Sequence, residues 1–133
     1  MSQENVATIQ RVYDAFNRHD LDQAVQQLHP DYELYPALVG PGQRSQYLGR
    51  DGAREFFELI TDVWETMAVE AKRTIELPDG RILAVENWRV RGRDGIEIDT
   101  ELTDLYAFRD GLIVRVDGFR DRAEAFEATG LRE

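Results

Sequence analysis

The stretch LPDGRILAVENWRVRGRDGIEIDTELTDLYAFRDGLIVRVDG, residues 77–118, decides the fold. It carries Asp79-Gly80, Asp94-Gly95 and Asp110-Gly111, which separate strand-like runs of about ten residues. Asp-Gly suits a two-residue hairpin turn, because the turn needs positive φ angles that glycine adopts freely and Asp tolerates. Turns of this kind in succession, after a first run beginning near residue 68, describe a four-stranded antiparallel meander. The recurring Arg-Asp-Gly at 93–95 and 109–111 is turn chemistry, not a repeat unit.

Period two then assigns faces. Ile98, Thr100, Leu102, Asp104, Tyr106 and Phe108 share one side of their strand, and that side is apolar apart from Asp104. An acid in such a wall must be paired, kept neutral, led to solvent or used. Two readings follow: Asp104 enters a pocket beside Val114, Val116 and Gly118, or it pairs with Arg89 or escapes at a bulge. On the strand over 81–93, one face holds Leu83, Val85, Asn87 and Arg89, and the other holds Ile82, Ala84, Glu86, Trp88 and Val90. Hydrophobicity turns the second inward.

The N-terminal half reads with a different period. Val6, Ile9, Val12, Tyr13 and Phe16 recur every three to four residues and mark an amphipathic helix ending near Asn17-Arg18-His19-Asp20; Leu21, Ala24, Val25 and Leu28 continue as a shorter one. The run DYELYP, residues 31–36, is a short strand stopped by Pro36, and a Gly/Pro-punctuated loop follows. Asp51 is expected to cap a helix whose stripe is Phe56, Phe57, Ile60, Val63, Trp64 and Met67. Near the end, Asp121 with Glu124 forms a capping box, and Gly130 closes a short helix. The expected order is ααβαββββα, an α+β fold in a single domain over residues 1–133.

Composition narrows the partners. The 133 residues are 42% hydrophobic, enough for one core. A net charge of −10 opposes binding to nucleic acid or to an anionic membrane surface. With no cysteine, disulfides, thiolate metal sites and a Cys nucleophile are excluded, and a cytoplasmic location fits. No apolar run is long enough for an export segment or membrane span. His19 and His29, the two histidines, have no metal-ligand spacing, so no metal site is expected. Ser2 and Ser45 lie in no nucleophile-elbow context, and the loop sequence GPGQR lacks the lysine of a phosphate-binding loop.

The segments ENVATIQRVYDAFNRHDLDQAVQQLHPDYELYP (4–36), YLGRDGAREFFELI (47–60) and LTDLYAFRDGLIVRVDGFRDRAEAFEATGL (102–131) together resemble the SnoaL-like polyketide cyclases. These belong to the nuclear transport factor two-like superfamily, with ketosteroid isomerase. The resemblance implies a cone: a curved antiparallel sheet packed on three helices around an internal apolar pocket, with pairing as a homodimer. It places Asp104 where ketosteroid isomerase keeps a protonated aspartic acid. It puts Tyr35 where that enzyme has its catalytic base, and Val12, next to Tyr13, where it has its oxyanion tyrosine. The epoxide-hydrolase set would fall at Asn87, Arg89 and Gly118, which do not reproduce it, and this alignment turns the Asn87 face inward.

The fold hosts many chemistries, so function is argued from the pocket. Asp104 and Tyr35 are the candidate catalytic residues. The candidate lining is Tyr13, Phe16, Asn17, Phe57, Ile60, Trp64, Asn87, Trp88, Leu102, Tyr106 and Val116. They describe a cofactor-free enzyme acting on a small hydrophobic, polyketide- or steroid-like carbonyl compound. Asp104 would move a proton, and Tyr35 or Asn87 would stabilise an enolate. The alternative is a non-catalytic ligand-binding or dimerisation module of the same fold.

Overall fold

The computed structural model describes residues 2–131. Helices α1 (Ser2–Asn17) and α2 (Leu21–Gln26) lead into β1 (Leu28–Tyr35) and the two-residue β2 (Tyr47–Leu48). Helix α3 (Gly49–Val63), strands β3 (Trp64–Glu76), β4 (Ile82–Gly92), β5 (Glu97–Arg109) and β6 (Leu112–Phe119), and helix α4 (Arg122–Thr129) complete the chain. The six strands form one curved, unclosed sheet in the order β2-β1-β6-β5-β4-β3.

The meander of β3 to β6 is antiparallel throughout, as the Asp-Gly spacing requires. At its last turn Asp110 and Gly111 sit at φ 55° and 76°, the pair of left-handed residues that lets a hairpin follow the strand twist. Beyond the meander β1 runs parallel to β6 and pairs antiparallel with β2, so the whole sheet is mixed. The parallel pairing has no local signature, because parallel partners meet only through a long crossover.

A local expectation changes at each end of α3, and Leu28, expected in the second helix, opens β1. Helix α3 stops at Val63, and Trp64 and Met67 belong to β3, where Met67 pairs with Val90 of β4. The helical spacing of Phe56, Phe57, Ile60 and Trp64 runs straight into the alternation of Met67, Val69 and Ala71, so both residues satisfy either period. Asp51 lies in the first turn of α3 and not at its cap, which Leu48 occupies without a side-chain hydrogen bond. Asp51 still favours the positive end of the helix dipole. The caps at Asp20 and Asp121 form as ordinary N-caps, accepting from the backbone N–H of Gln23 and Ala123.

The sheet has two unlike faces. Ile82, Ala84, Tyr106, Ile113 and Val116 turn toward α1 and α3 and form the main core with Ile9, Val12, Phe16 and Phe57. On the other face Leu83 and Leu105 pack with Leu77, Ala125 and Phe126 beneath α4. Hydrophobicity therefore predicts the inward face of β4, and the alignment that turns Asn87 inward does not hold. At the edge of the sheet the side-chain amide of Asn17 stands in for a missing strand. It accepts from Val69 N at 2.8 Å and donates to Val69 O at 3.1 Å.

Candidate functional site: a two-chambered pocket with a carboxyl pair

Between the helices and the concave face lie two adjoining chambers. The deep one, about 60 Å³, is lined by Val12, Tyr13, Phe16, Leu28, Tyr32, Leu34, Phe56, Phe57, Trp88, Asp104, Tyr106, Ile113 and Val116. The outer one, about 300 Å³, opens past Pro36, Ala37, Leu38, Ile60, Trp64, Val90, Ile98, Thr100 and Leu102. Leu34, Phe56, Trp88 and Asp104 line both, so Asp104 stands at the junction.

The loop after β1 closes one side of the outer chamber, and Gly118 makes room for it. Gly118 is the cross-strand partner of Asp104, and a Cβ added there would overlap the backbone nitrogen of Ala37. A side chain at 118 would push the loop off the sheet beside Asp104.

Behind Asp104 the structure places a second acid that the pocket reading of the sequence omits. Glu86 is 0% exposed. Its Oε2 accepts from the hydroxyls of Tyr13 at 2.5 Å and Tyr106 at 2.7 Å, and its Oε1 accepts from the Trp88 indole at 3.0 Å. An indole N–H can only donate, and donors on both oxygens are what a buried carboxylate needs. The alternation Ile82, Ala84, Glu86, Trp88, Val90 carries the signal that finds it: one acid on an otherwise apolar face, as at Asp104.

The strand register sets Ala84 opposite Asp104 and Leu102 opposite Glu86, so the two acids are diagonal neighbours on one face. Burial pushes the Asp104 carboxyl well above the usual carboxylate range; the charge of Glu86, a hydrogen bond between the two carboxyls and the charge of Asp117 add to it. Asp104 is only half-buried by surface, but that surface is the wall of the cavity, so the carboxyl is still withdrawn from bulk water. The Asp104 carboxyl therefore keeps its proton to higher pH than an ordinary carboxylate does. Arg89 supplies no countercharge, since it lies on the opposite face with Asp99 at 3.5 Å. The ion-paired reading of Asp104 fails for that reason.

The surrounding tyrosines stay neutral. Burial raises the Tyr13, Tyr106 and Tyr32 hydroxyls well above their usual range, with the Glu86 charge a further cause in each. Tyr13 and Tyr106 spend their protons on Glu86. Tyr32, 3% exposed, lines the deep chamber and makes no hydrogen bond with any described residue.

The expected lining divides. Tyr13, Phe16, Phe57, Tyr106 and Val116 line the deep chamber, Ile60, Trp64 and Leu102 the outer one, and Trp88 both. Asn17 and Asn87 lie in neither and border a separate groove with Gln10, Glu70 and Arg89. Asn17 is held there by the β3 edge, and Asn87 by its strand's outward parity. Tyr35 is also outside, its hydroxyl donating to Glu33 at 2.7 Å and accepting from Gln46 at 3.0 Å, with the Arg115 guanidinium over its ring. On β1 the buried side chains are Leu28, Tyr32 and Leu34, so parity puts Tyr32, not Tyr35, in the pocket. Among the described residues no group of acids and histidines is arranged to hold a metal ion, and no helix is long and apolar enough to cross a membrane.

Solved structures share this architecture. TerC, co-crystallised with polyporic acid, is 24% identical, with a TM-score of 0.74 over 95% of this chain and 97% of that one. RV0760c of Mycobacterium tuberculosis, in complex with estradiol-17β-hemisuccinate, is 15% identical, with a TM-score of 0.76 over 89% and 94%. A Catenulispora acidiphila protein of ketosteroid isomerase-like fold, in complex with trimethylamine, is 10% identical, with a TM-score of 0.75 over 94% and 93%. Among curated proteins none matches significantly. The sequence profile of the SnoaL-like domain matches residues 9–116, most of the chain, and with that match the protein is a member of the SnoaL-like domain family.

Proposed function

We propose that the protein takes up a small hydrophobic carbonyl compound and moves a proton on it with Asp104, without a cofactor. One observation carries the reading: a carboxyl whose proton is held by burial and by a second acid faces the junction of two apolar chambers. Such a group can donate to a carbonyl oxygen, and once ionised it is a strong base toward the adjacent C–H. The outer chamber is at the small end of the range for ligand sites, room for about one or two fused rings. The ligands of the neighbours, polyporic acid and estradiol-17β-hemisuccinate, support a compound of this general kind.

A second reading, binding without turnover, has its own support. Tyr13, Tyr106 and Trp88 commit their donors to Glu86, so few polar groups remain free for chemistry. Either reading sits with a cytoplasmic protein, and a homodimer through the convex face would be held by polar contacts among residues such as Asn87, Arg89 and Asp99.

The test is a thermal-shift screen of cyclic ketones, with trimethylamine included because one neighbour binds it. Hydrogen–deuterium exchange is then followed by NMR at the carbon next to the carbonyl of each ligand found. The expected result is catalysed exchange that falls about a hundredfold or more in Asp104→Asn with binding retained. Ligands that bind but never exchange would establish the binding module, and a screen that shifts nothing would overturn both readings.

A further inference from the structure

We infer that Tyr32 is the donor that receives the ligand's oxygen in the deep chamber, and that the pocket selects cyclic ketones or phenols over hydrocarbons of the same shape. The inference rests on the hydrophobic-ligand reading above and names the ligand's polar end.

The donors of the deep chamber can be accounted for one by one. The hydroxyls of Tyr13 and Tyr106 and the indole of Trp88 are committed to Glu86. Tyr32 alone among these rings has no partner among the described residues, though it is 3% exposed. Among the described residues the fully enclosed side-chain polar atom without a partner is Thr103 Oγ1, on the other face of the sheet; the Tyr32 hydroxyl is not sealed to that degree, and Tyr32 lines the deep chamber. A buried hydroxyl with no partner is costly, and the cost is removed when a ligand brings the acceptor.

The ligand's acceptor is an oxygen on a narrow end. The deep chamber is too small for a ring system and large enough for a carbonyl, while the outer chamber takes the apolar body. A carbonyl oxygen has two lone pairs. Protonated Asp104 meets one and Tyr32 the other, from two walls of one chamber. A hydrocarbon filling the same space would seal the Tyr32 hydroxyl away from every acceptor, and a site built on hydrogen bonding rejects a ligand that lacks the group.

The experiment compares 1-tetralone with tetralin, the same bicyclic body with and without the oxygen, on the parent, Tyr32→Phe and Tyr106→Phe. The parent is expected to bind the ketone about tenfold or more tighter than the hydrocarbon, and Tyr32→Phe to lose most of that preference. Without ligand, Tyr32→Phe is expected to unfold at the same temperature as the parent or higher, because no native hydrogen bond is lost. Tyr106→Phe is expected to melt lower, because it takes a donor from Glu86. An unchanged ketone preference in Tyr32→Phe, or a clear loss of unliganded stability, would overturn the inference. Equal binding of both compounds to the parent would also overturn it while leaving the hydrophobic pocket standing. Binding of neither would bring down the pocket reading and this inference together.

Discussion

Two of the acids on strand β5, Glu101 and Asp104, have opposite fates. Glu101 faces outward, where Arg122 donates to it at 2.7 and 2.9 Å and Lys72 at 3.1 Å, and these contacts, the Arg122 hydrogen bonds first, hold its carboxyl down at about 2. Asp104 faces inward, where its neighbour is Glu86, and burial with that neighbour pushes its carboxyl up. One turn of parity separates a carboxylate serving as an anchor from a carboxylic acid available for proton transfer. The outward cluster brings together β3, β5 and α4, whose residue Arg122 begins the helix. Among the described residues no cation stands in the inward cluster, and its aromatic donors are uncharged. A basic side chain there would have drawn the Asp104 carboxyl down toward its ionised form.

The most disruptive way to probe this contrast is Glu86→Ala. It leaves the Tyr13 and Tyr106 hydroxyls and the Trp88 indole without their acceptor in a closed space. Each stranded donor costs about 1–3 kcal/mol, so urea unfolding should show a total loss of about 3 kcal/mol or more. A loss below about 1 kcal/mol would mean that the inner cluster is not held by Glu86 at all.

Asp104→Asn should act in the other direction. The folded carboxyl titrates above its unfolded value of about 3.9, so folding favours the protonated acid. Below about pH 3.9 that preference is fully present, and the parent loses it as pH rises to the folded value and beyond. Asparagine keeps a donor toward Glu86 and never ionises. The variant should therefore match or exceed the parent near neutrality, by about 1.4 kcal/mol for each pH unit that the window spans, with the gain fading in acid. Unfolding at several pH values measures it, and a variant weakened by about 3 kcal/mol at pH 7 would show Asp104 to be an ionised, paired group.

Glu101→Gln should give the smallest effect. Its depressed carboxyl stabilises the parent above the unfolded value of about 4.3, and that contribution disappears as pH falls toward about 2. The pair is solvent-screened, with the Glu101 side chain 29% exposed, so the loss at neutral pH should stay under about 1 kcal/mol and shrink in 1 M salt. A larger, salt-insensitive loss would make the outer cluster a buried device like the inner one.

Part of this site was legible before any coordinate. The placement of Asp104 on the apolar face follows from counting by two between Asp94-Gly95 and Asp110-Gly111. The same count on β4 turns Glu86 to the inward face, and on β1 it prefers Tyr32 to Tyr35. There the family analogy that picks Tyr35 loses to the burial pattern of the strand itself. Trp64 was misplaced for another reason: helical and extended periods overlap where α3 meets β3 without a loop.

The sequence by itself determined the positions of the hairpins and the inward face of β4 and of β5 around Asp104, because these depend on φ preferences and alternation within about ten residues. Only the tertiary structure decided what stands opposite each inward residue. Tyr13 and Glu86 are 73 positions apart, and the parallel pairing of β1 with β6 that brings Tyr32 into the same chamber joins still more distant segments. A local pattern names a face. The charge state of Asp104, the satisfaction of Glu86 and the free hydroxyl of Tyr32 depend on which groups the whole chain assembles around that face, and on how completely it excludes water there.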